Sequence, residues 1–255
     1  MSSNAGPDAV AAARTAWVTG GAGAIGRAVC LRLAASGVRI GMFDRAGDAL
    51  DAACAEVPAV GVGCDLADAD AVARGAEMMT ERLGPADILV NVAGISHDDA
   101  LVDLTHERWA AVLAVNLTAP FLLARFVLPG MIERRFGRIV NVSSNAGVIP
   151  VARRAAYCAA KAGLDALTRS IALEAGAAGV TANTVSPGLI DTQLARGAFR
   201  GRAGLEAAVR GDFRNPMEKV LEPGDIAAAI AFFCDPDAHG VTGQRLHVDA
   251  GMVMP

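Results

Sequence analysis

The sequence predicts a single doubly wound α/β domain, a seven-stranded parallel sheet with helices on both faces, and three observations carry that prediction. Short β-rich runs alternate with longer helical patterns from about Arg14 to the end of the 255-residue chain, and such alternation implies right-handed crossovers between parallel strands. The composition is 53% hydrophobic with 28 glycines but only 4% aromatic, which suits helices packed closely on a sheet. No Pro/Gly/Ser-rich linker, low-complexity block or short repeat divides the chain. One domain over 14–255, preceded by a flexible lead-in over 1–13, is therefore expected. A (β/α)₈ barrel is the alternative that this length also allows.

Taken in order, "RTAWVTG" reads as a strand, and Ile25, Val29 and Leu33 stand at helical spacing in the segment that follows. "VRIGMFD" is the second strand, a helix near 46–56 comes next, and "AVGVGCD" is the third strand. A helix over about 68–83 leads to "ADILVNVAG", an apolar run suited to a strand covered on both faces. Two helices over roughly 105–135 precede the strand "GRIVNVSS", and a long helix over about 153–178 precedes "VTANTVS". A loop-rich insert over 187–222 then leads to a helix in "PGDIAAAIAFFCDP", and "GQRLHVDAG" is the last strand. Loops as long as this insert are usually lids or binding elements. Its arginines are nearly balanced by acids, which favours a solvated helix face over an anion trap.

A net charge of -4 argues against nucleic acid and against a polybasic membrane contact. The five cysteines form no CxxC pair, which fits free thiols in a reducing cytoplasm. The first residues lack the basic and apolar regions of a signal peptide. The most apolar stretch is interrupted by Asn116, Pro120, Arg125 and Pro129, unlike a membrane span. A soluble cytoplasmic protein without a metal site is expected.

Two features carry chemistry. The first strand ends in "TGGAGAIG", Thr19 to Gly26, which opens directly into a helix. Glycines there let backbone N–H groups approach a pyrophosphate at the helix N-terminus, although any tight strand-to-helix turn favours glycine. Asp44 ends the second strand, eighteen residues after Gly26. A carboxylate at that place accepts hydrogen bonds from ribose hydroxyls and repels a 2′-phosphate, which favours NAD. Arg45 beside it can rescue a phosphate, so NADP is the alternative.

The second feature is "AYCAAKA", which holds the only tyrosine of the chain. Tyr157 and Lys161 at i,i+4 share one helix face. Bringing a phenol from about 10 towards 7 takes roughly 4 kcal/mol of preferential phenolate stabilisation. A neighbouring ammonium and a positive nicotinamide carry charge of the required sign.

In this order and spacing the motifs resemble the classical short-chain dehydrogenase/reductase family over essentially the whole chain from Arg14. The resemblance implies a Rossmann-type fold whose cofactor turn uses Gly20, Gly23, Ala24, Ile25 and Gly26, with Ala24 in place of the family's middle glycine. It implies further cofactor contacts from Asp65 and Leu66 in "CDL", and from Asn91, Ala93 and Gly94 in "NVAG". Pro187, Gly188, Ile190 and Thr192 in "SPGLIDT" would lie near the nicotinamide carboxamide, and Tyr157 and Lys161 touch both cofactor and chemistry. It assigns catalysis to Asn116, Ser144, Tyr157 and Lys161: Asn116 holds a water behind Lys161, and Ser144 rather than Ser143 donates to the substrate oxygen. His97 and Arg154 are candidate substrate contacts, and either Arg153 or Arg154 can meet a substrate anion or face solvent or a subunit neighbour.

The implied activity is an NAD-dependent exchange of hydride between nicotinamide and a small secondary alcohol or ketone, by a homotetramer joined through the helices near 105–135 and 153–178. An NADPH-dependent 3-oxoacyl-thioester reductase is the alternative within that class. A dinucleotide-binding sensor without catalysis is the alternative outside it.

Overall fold

The structure, a computed structural model, describes residues 13–254; the expected lead-in lies almost wholly outside the described residues. Strands β1 (Thr15–Thr19), β2 (Arg39–Asp44), β3 (Ala59–Gly63), β4 (Ile88–Asn91), β5 (Gly137–Val142), β6 (Val180–Pro187) and β7 (Arg245–Val248) pair in parallel, in the order β3-β2-β1-β4-β5-β6-β7. The sheet is open, with edges at β3 and β7, so the barrel alternative is excluded. Residues of β1, β4, β5 and β6 are buried throughout. That matches their apolar runs, because helices cover both faces.

The helices are α1 (Ala24–Ala35), α2 (Asp48–Glu56), α3 (Ala69–Leu83), α4 (His106–Leu113), α5 (Ala119–Glu133), α6 (Ala155–Ala175), α7 (Gln193–Phe199), α8 (Arg202–Ala208) and α9 (Pro223–Cys234). On one face Val29 and Leu33 of α1 and Ile226, Ile230 and Phe233 of α9 pack on Val18, Ile40 and Met42. On the other, Met79 of α3, Leu123 and Met131 of α5 and Ile171 of α6 pack on Trp17, Phe43 and Ile139. α4 and α5 are joined by a π-helical turn, Ala114–Thr118, so the two expected helices run as one rod. That rod, His106–Glu133, is long and apolar enough to cross a membrane by length and composition. Here Leu123, Val127 and Met131 are instead buried against the sheet.

Two boundaries differ from expectation. α6 starts at Ala155 rather than near 153, because Arg153 stands at φ 64, outside helical space. The insert holds the two short helices α7 and α8, tied down by Asp191, which is paired with both Arg196 and Arg202. Those two guanidiniums hold the Asp191 carboxyl down at about 2. Arg196 and Arg202 are thus occupied by the chain's own acids.

A buried polar relay fixes α6 to the sheet. Asn91 Nδ2 donates to Asn141 Oδ1 at 2.8 Å, Asn141 Nδ2 donates to Thr168 Oγ1 at 2.8 Å, and Thr168 Oγ1 donates to the Leu164 carbonyl at 2.7 Å. Asn141→Leu would strand a buried donor on Asn91 and is expected to destabilise the fold by about 2 kcal/mol. The measurement is the urea unfolding midpoint, with an unchanged slope.

Candidate active site

The carboxyl ends of β1 to β4 form one edge of the sheet, around the switch point between β1 and β4 where α/β sheets bind ligands. After β1 the chain turns through Gly20 at φ 67, where a Cβ would come 3.0 Å from the backbone of Ala93. A Cβ on Gly26 would come 2.0 Å from the Gly20 carbonyl oxygen, so the turn and the first turn of α1 meet backbone to backbone. Gly23 caps α1 without a side-chain hydrogen bond, and no acid lies in the first turn that holds Ala24 and Ile25. α3 and α4, by contrast, are capped by Asp68 and Thr105. The first N–H groups of α1 are therefore left to an anion.

Asp44 accepts from Ala22 N at 3.0 Å and from Arg45 N at 2.8 Å, so its carboxylate braces the glycine turn from the end of β2. Beyond β3, Asp65 is exposed and Leu66 is 9% exposed at the rim of the core. The uncapped N-terminus of α1, Asp44 at the end of β2 and Asp65 and Leu66 beyond β3 lie at one edge of the sheet, an arrangement that would fit a dinucleotide.

Lys161 and Tyr157 occupy the next part of the edge. Lys161 is 2% exposed, and its Nζ donates to the Val142 carbonyl at 2.8 Å. Burial lowers its pKa to about 7. The Tyr157 ring centroid lies 5.6 Å from that Nζ. Burial raises the phenol, opposed by a hydrogen bond from Ser144 and by the charge of Arg154. The lowering of Tyr157 expected from a neighbouring ammonium is thus reversed in the free protein. Desolvation dominates both groups, and the ammonium is bonded to a carbonyl rather than to the phenol.

Ser143 turns inward and its Oγ donates to the Lys161 carbonyl at 3.3 Å. Ser144, next on the extended chain, faces Tyr157, and its Oγ accepts from Ala146 N at 3.1 Å. Asn116 sits in the π turn, its Nδ2 donating to the Ile95 and Val112 carbonyls at 2.9 Å each. Its Oδ1 is buried without a partner. A Cβ on Gly94 would come 2.8 Å from that oxygen and 3.6 Å from Lys161 Nζ. Only glycine leaves both polar atoms open to the same space.

Several of the expected cofactor-contact residues also bond or pack within the protein. Asn91 Nδ2 donates to Asn141 in the relay, while its Oδ1 is buried without a partner among the described residues. The Ile190 side chain lies in the core, which leaves only its backbone for a ligand. The Thr192 hydroxyl accepts from Ala195 N and caps α7. Pro187 ends β6, and Gly188 packs on Asp249, whose Cβ would be 2.8 Å from a Cβ at 188. His97 and Arg154 line a cleft together with Tyr157.

Sequence reading missed the Asn145–Asp249 hydrogen bond at 2.8 Å and the contact of Asn145 Oδ1 with His247 Nδ1 at 2.8 Å. These residues lie more than a hundred positions apart, and no local pattern signals them.

A dinucleotide cradle meeting a serine, a tyrosine and a buried lysine on a doubly wound sheet defines an oxidoreductase that acts on CH–OH groups. The chain belongs to the classical short-chain dehydrogenase/reductase family. The family model described as enoyl-(acyl carrier protein) reductase matches residues 20–253. Acetoacetyl-CoA reductase of Allochromatium vinosum is 38% identical over 255 residues, 95% of this chain and 99% of the relative. The 3-oxoacyl-[acyl-carrier-protein] reductase MabA of Mycobacterium avium is 38% identical over 242 residues, covering 94% and 90%. D-beta-hydroxybutyrate dehydrogenase of Cupriavidus necator is 38% identical over 254 residues, covering 94% and 98%. Among solved structures, levodione reductase superposes with a TM-score of 0.87 at 29% identity, covering 93% of this chain and 96% of that one.

The depressed lysine has a pH signature. Its folded pKa of about 7 lies below the ordinary 10.5, so the unfolded chain binds more protons between those values. Stability of the cofactor-free protein should therefore rise from about pH 7 to pH 10.5 and lose that gain on acidification through 7. Thermal unfolding across this range is expected to show the rise in the native protein and a flatter profile in Lys161→Met.

Proposed function

We propose that this protein interconverts 3-hydroxyacyl and 3-oxoacyl compounds, with hydride passing between carbon 3 and a nicotinamide. The observation that carries the reading is the convergence of Ser144, Tyr157 and Lys161 at the end of β5 and the start of α6. The relatives' names support the substrate class. An acetoacetyl thioester, a 3-oxoacyl carrier-protein thioester and 3-hydroxybutyrate all bear the reacting oxygen on carbon 3. These names lie closer to the 3-oxoacyl reductase expected as the alternative than to an unrestricted alcohol dehydrogenase.

A bound nicotinamide dinucleotide supplies or accepts the hydride. The chain's own groups manage the oxygen and its proton. Ser144 Oγ donates to the substrate oxygen as negative charge develops there. Burial keeps Tyr157 protonated, so the phenol gives its proton to the forming alcohol in reduction and takes it back in oxidation. Lys161 would hold the nicotinamide ribose hydroxyls of a bound dinucleotide and, when charged, favours the phenolate. Asn116 Oδ1 and Lys161 Nζ converge beside Gly94, where a water would return protons from solvent. The complete set Asn116, Ser144, Tyr157 and Lys161 speaks against a sensor that only binds the dinucleotide.

NAD is the proposed cofactor, because a 2′-phosphate would meet the Asp44 carboxylate already fixed by two N–H groups. A homotetramer is proposed in solution, supported by exposed Phe121 and Ile132 on α5 and Leu173 on α6.

Assays of acetoacetyl-CoA and 3-hydroxybutyrate with NAD(H) and NADP(H), followed by absorbance of the reduced cofactor, test the reading. Absence of turnover with every pairing would overturn it. Tyr157→Phe is expected to lower kcat by about 10²–10⁴-fold while dinucleotide binding persists by fluorescence titration. Asp44→Ala should shift the ratio of kcat/KM for NADH over NADPH towards NADPH by about tenfold or more, since one repelled charge is worth on the order of 1.4 kcal/mol or more in a partly desolvated site.

A further inference from the structure

Two arginines stand side by side before α6, and the structure treats them differently. Arg153 is drawn outward to Asp98, its Nε donating to the carboxylate at 2.7 Å and its Nη2 to the carbonyl at 3.2 Å. Arg154 has no carboxylate within 4.0 Å of its guanidinium among the described residues. Its side chain makes one hydrogen bond, from Nη1 to Ser96 Oγ, at 3.4 Å. It is half-buried and lines a narrow cleft with Tyr157, His97, Asp99, Leu104 and Val112, which Arg153 borders as well. Asp99 is the only carboxylate lining this cleft, and it is paired with Arg108.

A guanidinium that has lost part of its hydration and gained no counter-charge is a receptor for an anion. Its planar fork matches a carboxylate, which it holds through two parallel hydrogen bonds. Position then narrows the ligand. Arg154 lies one helical turn before Tyr157, and both line the same cleft, so the anion it meets is only a few bonds from the carbon that reacts. In a 3-oxoacyl thioester the acyl carbon is uncharged, and the phosphates lie at the far end of the pantetheine arm. In a free 3-oxo acid the negative charge is two carbons from the ketone. Leu104 and Val112 give the cleft an apolar wall.

We propose that Arg154 receives the carboxylate of a short free 3-hydroxy or 3-oxo acid. This rests on the 3-hydroxyacyl/3-oxoacyl reading above and selects the acid over the thioester. The pair of arginines thus divides labour. Arg153 fixes the loop through Asp98, and Arg154 reads the substrate.

The test compares kcat/KM for 3-hydroxybutyrate, its methyl ester and acetoacetyl-CoA in the native protein, Arg154→Gln and Arg154→Lys. The native protein should favour the acid over the ester. Loss of a charge-assisted pair should drop the acid-to-ester ratio about tenfold or more in Arg154→Gln, mainly through KM, with partial recovery in Arg154→Lys. The idea is overturned if the ratio is the same in all three proteins, or if only acetoacetyl-CoA is turned over. That second result would leave the function reading intact, whereas no turnover of any of the three would remove the reading itself.

Discussion

Lys161 is an amine buried to 2% exposure, and most of the site is arranged around that constraint. A buried ammonium is costly unless it is hydrogen-bonded. Here the last carbonyl of β5, on Val142, accepts from it at 2.8 Å. That bond exists only while α6 lies against β5. Ser143 Oγ holds the Lys161 carbonyl, and the Asn91–Asn141–Thr168 relay ties β4, β5 and α6 into one unit. Shifting the helix by a fraction of a turn would strand the ammonium and misplace Tyr157 with it.

The sheet edge and the helix contribute different things. The edge supplies backbone: a glycine turn with no room for a Cβ at Gly20 or Gly26, an α1 N-terminus without a side-chain cap, and a carboxylate at Asp44 already braced by two amides. α6 supplies side chains whose proton affinities are set by burial. In the free protein Tyr157 holds its proton and Lys161 is near the midpoint of its titration at neutral pH. The site is therefore poised to donate a proton, and positive charge on a bound nicotinamide would favour the opposite transfer.

The serine is steadied from the far side of the sheet. Asn145, next to Ser144, binds Asp249, whose carboxylate also accepts from the N–H groups of Gly251, Met252 and Val253. His247 meets the same asparagine, and Arg245 pairs with Asp165 of α6. The C-terminal segment thus reaches the turn that presents Ser144 and the face of α6 behind Lys161. Gly188 packs on Asp249 as well, so the start of the insert shares this support.

The sequence by itself determined the alternation of strands and helices, the glycine turn with Asp44, and the Tyr157–Lys161 pair. Each rests on a local rule: strand and helix periodicity, backbone access at glycine, and i,i+4 spacing on one helix. Only the tertiary structure decided which side chains are already spent. Asn91 and Thr192 look like ligands in their motifs, and in the fold Asn91 Nδ2 donates to Asn141 and Thr192 Oγ1 accepts from Ala195 N. Arg153 and Arg154 are indistinguishable in sequence, and Asp98 takes one and leaves the other. The directions of the Tyr157 and Lys161 shifts likewise depend on depth of burial. Spacing says which groups are neighbours along a helix. It does not say how much water or counter-charge surrounds them, because those come from segments distant in the chain.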